Sequence, residues 1–262
     1  MIRVGIGGWT FEPWRGPFYP PGLRQADELA HASRALTSIE VNGTFYRTQA
    51  PASFRKWADE TPDDFVFALK GPRYATNRGR LAEAGPAIER FFASGMHELG
   101  AKLGPISWQF APTKKFDPED FAAFLALLPH EVEGRPVRHA LEVRHGSFRD
   151  PAFVDMARRS SAAIVYADHA TYPAIADVTG DFVYTRLMGC AEEEETGYPP
   201  GALDAWAARL KTWAEGAEPQ DLPRVAAPVG TPAPRDCFVY FISGAKVRAP
   251  AAARALLERL RS

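Results

Sequence analysis

The chain has 262 residues, of which 46% are hydrophobic, so its length and composition suit one large α/β domain or two small ones. Its 31 basic and 32 acidic residues leave a net charge of −1, which argues against nonspecific binding to nucleic acid.

Location follows from the apolar runs and the cysteines. No run approaches the roughly 20 apolar residues that a membrane-spanning helix requires, and residues 2–6 are typical of a strand rather than of a signal peptide. Cys190 and Cys237 are too few for a disulfide scaffold, and their spacing matches no metal motif. We therefore expect a cytoplasmic protein with two free thiols that does not enter a membrane.

Eight short apolar runs along the chain are typical of β-strands. They are predicted at Ile2–Gly7, Ser38–Val41, Phe65–Lys70, Pro105–Phe110, Arg138–Val143, Ala163–Ala167, Phe182–Leu187 and Cys237–Ile242. Most of them carry a polar or charged residue at or next to their carboxyl end and continue into a loop that contains arginine, lysine or histidine.

Segments with helical periodicity separate most of these strands. Helices are predicted at Gln25–Leu36, Pro51–Glu60, Pro86–Leu99, Pro118–Leu128, Pro151–Arg158, Leu203–Trp213 and Pro250–Leu260. Asp117 and Asp150 each precede a proline, which is the pattern of an N-cap followed by the first helical residue. Only the 14 residues from Asp168 to Asp181 separate the sixth and seventh strands, so the sixth helix should be short or missing.

Eight strands alternating with about seven helices predict a single (β/α)₈ TIM barrel over residues 1–262. A doubly wound sheet is the alternative, but Gly5-Ile6-Gly7-Gly8 lacks the third glycine of a GxGxxG turn. The proline-rich segment 218–234 precedes a strand, so we expect it on the face opposite the active-site end of the barrel.

Polar side chains gather where the predicted strands end, which is where TIM barrels carry their active sites. These residues are Glu40, Asn42, Lys70, Gln109, Glu142, Arg144, Asp168 and Arg186, with Arg15, Tyr46, Arg47, Arg73, His145, Lys246 and Arg248 in the loops beyond. Basic residues outnumber acidic ones, so the sequence favours an anionic ligand such as a phosphate, a carboxylate or a nucleic-acid backbone.

Two interpretations of these charges stay open. In the catalytic one, Glu40, Glu142 and Asp168 are candidates for general acid/base chemistry on a small phosphorylated or sugar-like substrate, by hydrolysis, isomerisation or elimination. The candidate binding residues are then Trp9, Arg15, Asn42, Tyr46, Lys70, Gln109, Arg144, His145, Arg186 and Lys246. In the other interpretation, pairs such as Glu40–Arg186 and Glu142–Arg144 are structural salt bridges without chemistry.

The sequence leaves cofactors and macromolecular partners open. Glu40, Glu142, Asp168, His145 and His169 are metal-ligand types, but no HxH or HExxH spacing occurs, so a divalent metal is only weakly supported. The aromatic residues Trp9, Trp14, Phe45 and Tyr46 could stack on a base or a sugar, or cap the barrel core. A nucleic-acid enzyme or binder, and a non-catalytic module for a metabolite or protein partner, are therefore the alternative functions. The oligomeric state is open.

Six long motifs add a family resemblance. In chain order they are GIGGWTFEPWRGPFYPPGL, SIEVNGTFYR, FVFALKGPRYATN, LGPISWQF, ALEVRHGSF and DFVYTRLMG. Their order and content resemble the DUF72 (YecE-like) family over nearly the whole chain. The resemblance implies a TIM barrel, similar to the sugar isomerase and endonuclease-IV-like group in fold alone, and it implies little about activity.

The chain departs from the common family pattern at two strand ends. Met188 stands where many members carry histidine, and Ile242-Ser243-Gly244 stands where many carry a segment rich in aspartate and asparagine. If those residues catalyse or bind metal in other members, this chain either lacks that chemistry or belongs to a different subgroup of the family.

Overall fold

Eight parallel strands close into a barrel, as predicted. The structure is a computed structural model, and it describes residues 1–228 and 233–261. In chain order the strands of the barrel are β1 (Ile2–Gly7), β2 (Ser38–Val41), β3 (Val66–Lys70), β4 (Leu103–Gln109), β5 (His139–Glu142), β6 (Ala163–Asp168), β7 (Phe182–Leu187) and β8 (Asp236–Phe241). Each strand pairs with its sequence neighbours, and β8 pairs with β1 to complete the ring.

Nine α-helices surround the barrel in the described part of the chain. They are α1 (Glu28–Ala35), α2 (Gly43–Tyr46), α3 (Pro51–Asp59), α4 (Arg73–Thr76), α5 (Gly85–Phe92), α6 (Pro118–Ala126), α7 (Pro151–Arg159), α8 (Pro200–Ala214) and α9 (Ala249–Arg261). The sequence did not predict α2 and α4, each a single turn placed just after a strand. Residues 169–181, between β6 and β7, contain no helix, which confirms the prediction that the sixth helix is short or missing.

Local residues explain where two helices begin and where one ends. Asp117 accepts hydrogen bonds from the backbone N–H groups of Glu119 and Asp120, and Asp150 caps α7 in the same way, as predicted. The helix predicted at Pro86–Leu99 ends at Phe92 instead. Gly95 has φ +96°, a left-handed conformation that stops an α-helix, and a 3₁₀-helix (Met96–Lys102) follows it.

The strands carry two separate apolar surfaces because successive side chains alternate between the two faces. Outward side chains such as Phe67, Trp108 and Leu141 join the large core under the helices. Inward side chains such as Ala140, Tyr184 and Tyr240 fill the inside of the barrel, from its middle toward the amino ends of the strands. The rings of Tyr184 and Tyr240 fill the middle of the barrel. The Tyr240 hydroxyl lies 2.7 Å from Ser38 Oγ, so this buried polar group has a hydrogen-bond partner.

The same alternation produces a charged layer one step nearer the carboxyl ends of the strands. Each member of this layer lies two residues after an inward-facing residue that is small or carries a hydroxyl group. Since residues i and i+2 of a strand face the same side, the member also points into the barrel. The layer consists of Glu40, Lys70, Gln109, Glu142 and Arg186. The fold therefore places polar residues from five strands at one level of the barrel.

Other sequence predictions fall outside this layer. The segment 218–234 was predicted to be a loop. Its residues 218–228 contain neither helix nor strand, and its residues 229–232 lie outside the described residues. Cys190 and Cys237 are both free and buried. Across the described ranges, each helix is too short or too polar to traverse a bilayer.

Candidate functional site

Arg186 lies at the centre of the charged layer. Its Nη1 donates to Glu142 Oε2 at 2.5 Å and its Nη2 donates to Glu40 Oε1 at 3.1 Å. All three side chains are buried, and β7, β5 and β2 supply one each. We call this group the ion-pair network. Burial by itself would lower the pKa of Arg186, but the two carboxylates raise it above its ordinary value.

Glu142 is shared between two arginines. Its second oxygen, Oε1, accepts from Arg144 Nη2 at 2.6 Å and from Arg144 Nε at 2.8 Å. Burial would raise the pKa of Glu142, but the positive charges of Arg186, Arg144 and Lys70 outweigh it and lower the pKa to about 2. Glu142 is therefore an ionised acceptor throughout the physiological pH range.

Glu40 is occupied at both oxygens. Oε1 accepts from Arg186, and Oε2 accepts from the Tyr184 hydroxyl at 2.7 Å. Burial first, and then the charge of Glu40, raise the pKa of Tyr184 well above its usual value, so the phenol stays protonated and donates this bond. The inferred pair Glu40–Arg186 thus exists, and sequence reasoning missed Tyr184, whose inward direction two residues before Arg186 was the available signal.

Lys70 is the cation of the layer with the lowest pKa. Its Nζ donates to Gln109 Oε1 at 2.5 Å and lies 4.5 Å from the centre of the Phe45 ring. Burial and then the charge of Arg186 lower the pKa of Lys70, while Glu40 and Glu142 partly restore it, to about 8. At neutral pH this amine is mostly charged but loses its proton easily.

A cavity of about 420 Å³ opens directly above this layer. Its lining, which we call the mouth cavity, consists of Gly7, Asn42, Tyr46, Lys70, Gln109, Arg144, Arg186, Phe241, Ile242, Ser243 and Lys246. Four of these side chains are cationic, and none of the described residues of the wall is acidic. The volume lies in the lower half of the range of small-molecule pockets, about 300–1,000 Å³.

Lys246 reaches this cavity from the loop after β8. Its Nζ lies 4.4 Å from the centre of the Phe11 ring and 5.2 Å from that of Trp14, and its backbone carbonyl accepts from Trp14 Nε1 at 2.8 Å. Burial lowers the pKa of Lys246. Within residues 1–228 and 233–261, no carboxylate forms an ion pair with either Lys246 or Lys70. Both ammonium groups therefore remain available to an anion.

Four predicted site residues lie away from the mouth cavity. Trp9 packs edge-on against Trp57, with 5.2 Å between the ring centres, in a groove on the outside of the barrel. Arg15 pairs with the buried Glu28 at 2.9 Å. The remaining two, His145 and Asp168, have local partners. The His145 ring accepts from the Ser147 backbone, and Asp168 accepts from the Tyr198 hydroxyl at 3.2 Å.

The aromatic candidates separate by exposure. Trp14 is completely buried, and Phe45 lies under Lys70, so neither presents a face on which a base could stack. Tyr46 is 63% exposed at the rim of the mouth cavity, where the Arg73 guanidinium lies 5.6 Å from its ring centre. Three of the four candidate aromatic residues, Trp9 included, are thus packing residues.

The two departures from the family pattern lie close to the site. Ile242 and Ser243 line the mouth cavity, and Ser243 has φ +68°. Met188 is buried just beyond the end of β7. In the described chain, no three His, Cys, Asp or Glu side chains are grouped so that they could hold a metal ion.

Comparisons with known proteins agree with this architecture. The family described as "Protein of unknown function DUF72" matches residues 3–262. UPF0759 protein YecE of Escherichia coli (strain K12) is 28% identical over 151 residues, which are 56% of this chain and 50% of YecE. UPF0759 protein YunF of Bacillus subtilis (strain 168) is 28% identical over 160 residues, covering 59% and 55% respectively. This chain spans about half the length of the curated relatives it matches.

A solved structure extends the match in three dimensions. The crystal structure of a DUF72 family protein from Thermotoga maritima superposes with a TM-score of 0.77 and 21% sequence identity, covering 100% of both chains. The superposition shows that the two proteins share a fold, and at 21% identity it says nothing about a shared activity. The family match over nearly the full length and the common barrel together lead to one conclusion: the chain belongs to the DUF72 family.

Proposed function

We propose that the chain binds a small anionic, phosphorylated or sugar-like molecule in the mouth cavity and acts on it by acid/base chemistry. One observation carries this proposal: four cations line the cavity, while the two acids of the layer, Glu40 and Glu142, lie behind them in the ion-pair network. Guanidinium and ammonium groups bind phosphate and carboxylate by charge-assisted hydrogen bonds. The neutral wall residues Asn42, Gln109 and Ser243 suit hydroxyl groups on the same ligand.

We assign the roles from pairing and pKa. Glu142, with a pKa of about 2, suits a permanent acceptor that holds Arg144 and Arg186. Both oxygens of Glu40 are occupied by Arg186 Nη2 and the Tyr184 hydroxyl. A general acid or base works best with a pKa near the working pH. Lys70, with a pKa of about 8, meets that condition and lines the cavity. The proton-transfer role that the sequence suggested for the carboxylates therefore belongs, in our proposal, to Lys70.

Binding of charged and neutral ligands tests the proposal. Calorimetric titration with inorganic phosphate and with a sugar phosphate should show binding that the unphosphorylated sugar does not. Lys246→Met removes one unpaired ammonium from the wall and should weaken phosphate binding about tenfold or more, at an unchanged melting temperature. Lys115→Met, which removes an exposed charge elsewhere, is the matched control. Equal affinity for the neutral sugar, or equal affinity in the Lys246→Met protein, would refute the proposal.

A further inference from the structure

We propose that Lys70 is a nucleophile: its amine forms an imine with the aldehyde or ketone carbonyl of a substrate that also carries a carboxylate or phosphate. This inference rests on the anion-binding function proposed above, and it specifies the substrate class. It concerns the one lysine in the charged layer.

The surroundings of Lys70 favour the neutral amine that such a reaction needs. The side chain is only 4% exposed, its hydrogen-bond partner is the neutral amide oxygen of Gln109, and the Phe45 ring lies against it. A carboxylate in direct contact would hold the ammonium form, and among the described residues Lys70 has no such partner. A desolvated lysine beside another cation is the arrangement in which lysine becomes nucleophilic.

The pKa of Lys70 agrees with this geometry. Burial lowers it first and the nearby Arg186 charge lowers it further, to about 8. About a tenth of the Lys70 side chains are then neutral at pH 7, compared with about one in 2,500 for an ordinary lysine of pKa 10.4. The fraction of reactive amine rises through the mildly alkaline range.

The same cavity supplies groups that would hold the charged end of the substrate. Arg144 is held by the hydrogen bonds of its Nε and Nη2 to Glu142. Among the described residues, its Nη1 makes only a long 3.4 Å contact to the Tyr172 hydroxyl. Lys246 has no carboxylate partner among the described residues. These two cations bind the carboxylate or phosphate of the substrate, which leaves its carbonyl carbon to Lys70.

The reaction balances without an oxidant or a reductant. The lone pair of Lys70 Nζ attacks the carbonyl carbon, a C–N bond forms, and the π electron pair of the carbonyl moves to its oxygen. One proton leaves nitrogen and one is taken up by oxygen, which yields a carbinolamine. Loss of water yields the imine, and addition of water reverses the sequence. The protonated imine withdraws electrons from the neighbouring carbon, so it favours isomerisation or elimination.

Borohydride trapping on the full chain tests the inference. The protein is incubated with pyruvate or dihydroxyacetone phosphate, sodium borohydride reduces any imine to a stable secondary amine, and peptide mass spectrometry locates the adduct. We expect the adduct on Lys70, at least tenfold above Lys102 and Lys114, whose ammonium groups donate to backbone carbonyls. Acetone and dihydroxyacetone are the uncharged controls and should label Lys70 at least tenfold less.

Lys70→Arg separates the two proposals because it keeps the positive charge and removes the nucleophile. It should still bind inorganic phosphate by calorimetry, and it should form no adduct at position 70. Phosphate binding in the unmodified chain without a Lys70 adduct from either anionic probe would overturn the imine and leave the proposed function standing. Absence of phosphate binding would overturn the proposed function. Adducts spread evenly over the lysines, or formed equally with the uncharged ketones, would also overturn the inference.

Discussion

Arg186 and Glu142 form a buried ion pair across the mouth of the barrel, with 2.5 Å between Nη1 and Oε2. Neither side chain has appreciable contact with solvent, so each depends on the other for the interactions that water would otherwise provide. The pair shifts both groups toward their charged forms: the pKa of Glu142 falls to about 2 and that of Arg186 rises. The charged layer is therefore a fixed electrostatic element beneath the mouth cavity.

Arg186→Met should destabilise the fold strongly. It removes the cation that both carboxylates share, and among the described residues it leaves Glu40 with the Tyr184 hydroxyl alone. Breaking a buried pair from one side costs about 3–5 kcal/mol because the remaining charge is left uncompensated. Urea denaturation at pH 7 should show a loss of that size in the free energy of unfolding.

The matched control removes the whole network. A triple variant with Arg186→Met, Glu40→Gln and Glu142→Gln buries no uncompensated carboxylate there, so it should recover most of the lost stability. If Arg186→Met is as stable as the unmodified chain, loss of the ion pair does not leave an uncompensated buried charge. A triple variant no more stable than the single one would show that the loss comes from packing.

Sulfate binding should weaken as the pH rises from 7 to 9. With a pKa of about 8, Lys70 changes from mostly charged to mostly neutral over this range, which reduces the charged fraction about tenfold. If only the ammonium form binds, affinity falls by as much as about tenfold. Sulfate is the appropriate probe because its own charge is constant between these pH values, and calorimetric titration measures the change.

Lys70→Arg should remove that part of the pH dependence, since arginine stays charged throughout. Lys246 is the other lysine of the wall and is present in both proteins, so the difference between the two pH profiles reports on position 70. Identical profiles would mean that Lys70 does not titrate against the ligand in this range.

Stability should also fall on mild acidification because His139 is buried in its neutral form. Its Nδ1 accepts from Trp108 Nε1 at 3.0 Å, and its Nε2 donates to the Pro129 carbonyl at 2.7 Å. Burial lowers the pKa of His139 to about 4. Below the ordinary histidine pKa of about 6.5 the unfolded chain binds more protons than the folded one, so stability falls as the pH drops from 6.5 toward 4.

The expected loss from His139 between pH 7 and pH 5 is about 2 kcal/mol. Urea denaturation at the two pH values should show it, and His139→Gln should be less stable at pH 7 but lose about 2 kcal/mol less on acidification. An equal loss in both proteins would place the acid sensitivity elsewhere.

Most of the fold could be predicted from local patterns. Alternating apolar runs located all eight strands to within two residues, and Asp117 and Asp150 marked helix starts because capping depends on neighbours in the chain. Single turns such as α2 and α4 escaped prediction because four residues carry too little periodicity. The helix predicted at Pro86–Leu99 was too long at its carboxyl end, because the left-handed conformation of Gly95 became apparent only in the structure.

The sequence by itself determined that Glu40, Lys70, Glu142 and Arg186 lie at one end of one barrel. The alternation of side chains along a strand can be read from neighbouring residues, as can the sequence of strands and helices along the chain. In a barrel of parallel strands, all the carboxyl ends of the strands lie at the same end. Only the tertiary structure decided how these charges pair. Glu40 and Arg186 are 146 positions apart and meet because the barrel closes. Glu40 and Glu142 are therefore both paired with Arg186 behind the cavity, and among the described residues no carboxylate forms an ion pair with Lys70. Burial and the ion pairs between strands, which set most of the shifts in pKa, depend on that closure, whereas Glu142 and Arg144 pair two positions apart in the chain.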